Sequence, residues 1–279
     1  MTSGPAWRRL GSVPFAKLVA SRLELHYAAQ IPAALGMARA RPEPDFGHHA
    51  LTWDANERAL VSALVPAKRA YRAGIRFHDR ALLLLDGRGA RLESLALAGR
   101  TLEEGLGWLS RASAQVSGEE KPALALPGQE LPPHPVAGGA RFAAVDSAAT
   151  TEIEAWYANV AGLLELLREG ERASPVRVWS HHFDLDTVWN LGGERTLGFG
   201  LSPGDEFCSE PYLYVLPSSF PEGSVAPAIE EPAEWRTSDR TGAVLRGSEV
   251  AKLPAEAQAE AIERFYRSTA AALRPEAGR

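Results

Sequence analysis

Apolar positions recur along this chain with two periods. Between Phe15 and Ile31, residues Leu18, Val19, Leu23, Tyr27 and Ile31 follow one another at spacings of three and four, which predicts an amphipathic helix that Pro32 should close. Thr101 with Glu104 reads as a capping box, and Leu102, Leu106 and Leu109 continue it into a helix that stops near Gly118. Thr151 with Glu154 reads the same way, followed by a stripe through Ile153, Trp156, Val160, Leu164 and Leu167 up to Gly170. A last helix is expected from about Pro254, with Ile262, Phe265, Tyr266, Thr269 and Leu273 on its docking face.

The other period is two. HHALTWD, ALVSALV, AGIRFHD, ALLLLD and RLESLAL are short runs separated by turn residues, so residues 48–98 read as an antiparallel sheet. PVRVWSHHFDLDTVWNL, RTLGFGLS and PYLYVLP predict three more strands, and TGAVLRG an edge strand. The fold class that follows is α+β, an antiparallel β-sheet with helices packed on one side. Residues 1–118 form one helix-plus-sheet half, the Pro- and Gly-rich stretch 119–150 a connector with His134 solvated in it, and 151–279 the second half, an arrangement that a single compact domain also accommodates. Each half carries a strand opening on paired histidines, His48–His49 and His181–His182, which raises the expectation of an internal duplication.

Composition narrows the classes. With 45% apolar and 23% charged residues the chain is of globular type, and its longest uncharged apolar runs, such as Ala59–Ala67, fall far short of the roughly 20 residues a membrane span needs. The formal charge is −5 and the 30 basic residues are scattered, so nucleic acid is not an expected partner. Arg8 and Arg9 hint at a twin-arginine leader, but Lys17, Arg22 and Glu24 interrupt the apolar region it would need; with the lone Cys208, the expected location is the cytoplasm. Neither G-x-x-x-x-G-K-[ST] nor G-x-G-x-x-G occurs. Nothing in the sequence sets the oligomeric state.

The chemistry concentrates in WSHHFDLDT, Trp179 to Thr187. On one extended strand, Ser180, His182, Asp184 and Asp186 would point one way and Trp179, His181, Phe183 and Leu185 the other. A row of one imidazole and two carboxylates is costly to bury unpaired, so His182, Asp184 and Asp186 are the catalytic candidates. His182 and Asp184 could both reach a divalent metal ion, further ligands coming from Asp205, Glu206, Glu210, His48 or His49. His26 and Gln30, one helical turn apart, join His181, Asp205, Glu206 and Glu210 as binding candidates. The plainer alternative is that these histidines only satisfy backbone groups. GLSPG formally fits the nucleophile elbow, but Pro203 and the strand expected after it are the wrong context. Two function classes stay open: a small-molecule enzyme, metal-assisted hydrolase or lyase, and a non-catalytic ligand-binding or protein-interaction protein.

LHYAAQ at Leu25, LPPHPV at Leu131, VWSHHFD at Val178, GLSPGDE at Gly200 and EPYLYV at Glu210 together resemble an uncharacterised bacterial protein family. The likeness runs over most of the chain, with Ser180 where that family has proline. It implies family membership and no substrate, cofactor or catalytic residue.

Overall fold

The computed structural model describes residues 7–219, 226–237 and 241–274, and within them an α+β fold built on antiparallel strand pairs. The chain divides into two compact units that trade segments: one holds Lys17–Glu154 and Arg177–Phe183, the other Met1–Ala16, Ala155–Val176 and Asp184–Arg279. The expected boundaries at 118 and 150 therefore do not separate them. The Pro-rich stretch lies inside the first unit, where Val136 and Phe142 are buried, the Tyr27 hydroxyl donates to the Pro132 carbonyl (2.8 Å), and Ala143 N–H donates to Glu24. His134 is half-buried, and its Nδ1 accepts from Val136 N–H at the head of a short 3-10 turn, Pro135–Gly138.

In the first unit, α1 (Leu18–Arg39) runs straight through Pro32. The chain tolerates the missing N–H because Ile31, Ala33, Ala34 and Leu35 on either side are fully buried, which offsets the roughly 3 kcal/mol cost of an internal proline. Almost every residue from Leu18 to Gly36 is buried, so α1 is a central helix rather than an amphipathic surface one. Among its buried polar groups, Glu24 sits 2.8 Å from the Arg80 guanidinium. Strands β1 (Leu51–Asp54), β2 (Ala59–Ser62), β3 (Tyr71–Arg76), β4 (Ala81–Asp86), β5 (Arg91–Ala96) and β6 (Arg177–Trp179) form this unit's sheet in the order β6-β1-β2-β3-β4-β5, which bears out the antiparallel reading of residues 48–98. Helix α2 (Leu102–Ser117) packs on it with α1, started by the expected capping box: Thr101 Oγ1 accepts from Glu104 N–H and Glu104 Oε2 from Thr101 N–H.

Helix α3 (Ser147–Arg168) begins four residues earlier than Thr151. Its cap is Asp146, whose carboxylate accepts from the Ala148 and Ala149 amides, while Thr151 and Glu154 lie inside the helix. In the second unit, strands β7 (Asp184–Gly192), β8 (Arg195–Ser202), β9 (Tyr212–Pro217), β10 (Glu234–Arg236) and β11 (Gly242–Arg246) are ordered β10-β11-β9-β8-β7. TGAVLRG is thus an interior strand, flanked by β10 and β9. The short α4 (Gly247–Ala251) leads to α5 (Ala255–Leu273), which buries Ile262, Phe265, Tyr266 and Thr269 as its periodicity predicts. No helix among the described residues is long and apolar enough to cross a membrane.

Candidate functional site

The WSHHFDLDT stretch is not one strand. Strand β6 ends at Trp179, residues Ser180–Phe183 form a turn, and β7 starts at Asp184, the point where one compact unit gives way to the other. The turn closes because the amides of His182 and Phe183 both donate to the Trp179 carbonyl, at 3.2 and 2.7 Å, with Phe183 in a left-handed conformation (φ 59°). A buried phenylalanine holds that strained geometry only if its surroundings over-determine it. They do: Phe183 is 1% exposed and its ring stacks on His26 at 5.1 Å and 8°. The proposed row of His182, Asp184 and Asp186 is therefore broken, with His182 exposed in the turn and only Asp184 and Asp186 sharing a strand face.

His26 and Gln30 lie behind this turn. Gln30 Nε2 donates to the Ser180 carbonyl at 2.6 Å and to the His26 carbonyl at 3.0 Å, and His26 Nε2 meets the same Ser180 oxygen at 2.9 Å. A carbonyl accepts only, so that nitrogen carries the proton. Burial pushes His26 down to about 4, against the opposing pull of the Ser180 and His181 backbone, so the imidazole is neutral over the physiological range. These two residues fix the turn and do not face the cleft beside it.

That cleft is a concavity of about 390 Å³ in the first unit. Strand pairing creates it. β1 runs antiparallel to β6 with Leu51 opposite Val178, so the residues before β1 and those after β6 fall at the same end. His48 and His49, in a 3-10 turn (Gly47–His49), are thereby brought to the turn that carries His181. His49, His181, Ser180 and Trp179 form one wall, and Met37 of α1 with Asp45, Phe46, Pro127 and Gln129 the remainder. Each histidine pair lies in a turn that leads into a strand, His48–His49 into β1 and His181–His182 into β7.

The loop leading into the cleft is clamped. Arg177 reaches Glu43 at 2.8 Å and Asp45 at 2.5 Å, and Asp45 also accepts from Gly47 N–H. Gly47 leaves room for the clamp: a Cβ would lie 2.1 Å from the Arg177 guanidinium and 2.3 Å from the Glu43 carboxylate, and those side-chain ends would have to shift. The Arg177 hydrogen bond holds Asp45 below the usual carboxylate range. His48 Nδ1 accepts from Glu43 N–H at 3.0 Å; His49, 4.2 Å away ring to ring, is pushed down by burial and then by His48. Phe46 has φ 59° and is 62% exposed, its ring 5.7 Å from that of His49.

The remaining candidates belong to the second unit. Asp184 accepts from the Tyr214 hydroxyl at 2.5 Å, and burial followed by the charges of Asp184 and Asp186 pushes that phenol well above its ordinary value, which keeps it a donor. Gly200 makes the room: a Cβ there would sit 2.3 Å from the Tyr214 ring and hydroxyl. Asp205 accepts from the Phe207 and Cys208 amides and from the Tyr212 hydroxyl (2.6 Å); Glu210 accepts from Ser248 N–H and Oγ. Both carboxylates staple loops, and Glu206 is exposed. Ser202 ends β8 and accepts from Gly204 N–H, and the next element is a strand, so GLSPG is a turn and not a nucleophile elbow. Cys208 has Arg246 at 3.4 Å from Sγ, yet burial prevails and pushes the thiol up.

Among the described residues no group of three or more His, Cys, Asp and Glu is arranged to hold a metal ion. Sequence reasoning missed Met37, Asp45, Phe46, Pro127, Gln129 and Arg177; the echo of the second histidine pair was the one available signal. No family model, no curated protein and no solved structure matches this chain.

Proposed function

We propose that this chain binds a small organic molecule in the cleft between the His49 and His181 turns. One observation carries the reading: two histidine turns remote in sequence are fixed at one concavity by the β1–β6 pairing, each braced from behind, His181 by His26 and Gln30 through Ser180 and His49 by the Arg177 clamp. Bracing of this kind positions side chains for a ligand. A second reading, acid–base catalysis on that ligand, rests on His49, an imidazole in the cleft wall that burial, and then His48, push down. The metal-assisted version drawn on His182 and Asp184 finds no third ligand among the described residues. The lone, buried Cys208 suits a reducing compartment, and we place the activity in the cytoplasm on that ground.

The test is a ligand-observed NMR screen of small polar aromatics on the full chain and on Met37→Trp, which fills the cleft from a helix position. Hits lost in the variant, with an unchanged circular dichroism spectrum, support the cleft. Hits that persist undiminished, or their absence from the native chain, reject it.

A further inference from the structure

We infer that the ligand is a small organic cation, an aryl or alkyl ammonium held between Phe46 and Trp179 with its charge toward Asp45. This deepens the reading of the cleft and rests on it. Among the lining side chains Asp45 is the only carboxylate, and no lysine or arginine lines the cleft. Behind it, one guanidinium serves two carboxylates. Arg177 is only 12% exposed, whereas the side chains of Glu43 and Asp45 are 44% and 55% exposed, so the hidden charge is positive and the presented charge is negative. Burial, and then His48, push His49 down and so disfavour a positive charge there.

The walls suit the same ligand. Phe46 presents its ring to solvent from a left-handed backbone that a bulky residue rarely adopts, which is strain spent on displaying an aromatic face. Half-buried Trp179 offers a second π-system, its ring 6.2 Å from that of His181. Aromatic faces attract cations, most effectively weakly hydrated ones such as quaternary ammonium groups. The Met37 thioether and Pro127 add apolar contact that a strongly hydrated cation would not repay. An anionic ligand would meet the Asp45 carboxylate directly. The cleft lies toward the small end of the range of about 300–1,000 Å³ for ligand sites.

Isothermal titration of the full chain with benzyltrimethylammonium, benzyl alcohol and benzoate is the experiment. The cation should bind roughly tenfold or more tightly than the alcohol, benzoate should not bind, and affinity should fall with salt. Asp45→Asn and, independently of the Arg177 clamp, Phe46→Leu should each weaken the cation roughly tenfold. Met37→Trp should abolish binding. If the alcohol or benzoate binds as well as the cation and Met37→Trp removes it, the cation inference fails while the cleft stands. If none of the three probes binds, or Met37→Trp makes no difference, both fail.

Discussion

The His49–His181 cleft and the Asp184–Tyr214 pair draw on the same short stretch of sequence and on similar residue types, yet they are built to opposite ends. Around Tyr214 the polar atoms face one another: a phenol held protonated donates to Asp184, and a glycine at 200 is reserved for its ring. Around the cleft the groups that brace the Ser180 turn bond away from it, into the Ser180 carbonyl, while Asp45, held by Arg177, keeps a largely exposed carboxylate beside half-buried imidazole rings. The carboxylate at Tyr214 is closed against its partner, whereas the one held by Arg177 stays 55% exposed. The difference between neighbouring positions lies in where their hydrogen bonds are spent.

The contrast can be broken by measurement. Gly200→Ala should destabilise the chain by about 3 kcal/mol in urea denaturation, because the new methyl meets the Tyr214 ring and the Leu185 carbonyl; an unchanged midpoint would mean the Tyr214 region has slack. On the cleft side, His26 binds a proton near 6.5 unfolded and only near 4 folded, so the unfolded chain takes up protons first as the pH falls. Stability is fully present above about pH 6.5 and should drop by about 3 kcal/mol by pH 4, a slope that His26→Gln should flatten. Tyr214→Phe removes one buried donor from a carboxylate and should cost about 2 kcal/mol. His49→Ala should shift stability by only about 0.5 kcal/mol, since the ring is half-buried, while impairing ligand capture in the NMR screen. A large stability loss in His49→Ala would make the cleft as structural as the Tyr214 pair.

What the sequence disclosed was local. Thr101 and Glu104 announce a helix start because capping is settled within four residues. The same pattern at Thr151 misled, because Asp146 had already supplied the cap. The strand periods placed the antiparallel sheet of residues 48–98, but alternation through WSHHFDLDT failed at Phe183, since nothing about phenylalanine signals a left-handed backbone. Pro32 misled for a tertiary reason, the burial of α1 on nearly every side. Beyond the paired histidines the cleft could not be read, because Asp45 and Phe46 look like turn residues until β1 pairs with β6. Asp205 and Glu210, candidates by charge, proved to be loop staples by contact.

The single β1–β6 register point joins segments more than a hundred residues apart in sequence. Contacts of such separation form slowly, because the loop between them must close before they are rewarded. The cleft therefore has no local precursor: a nascent chain that has already folded β1 to β5 still lacks the wall made by Trp179, Ser180 and His181. Whatever occupies it acts as a clasp on the late-arriving strand, so hydrogen exchange at Val178 and Leu51 should slow when the cleft is filled, ahead of any change at β4.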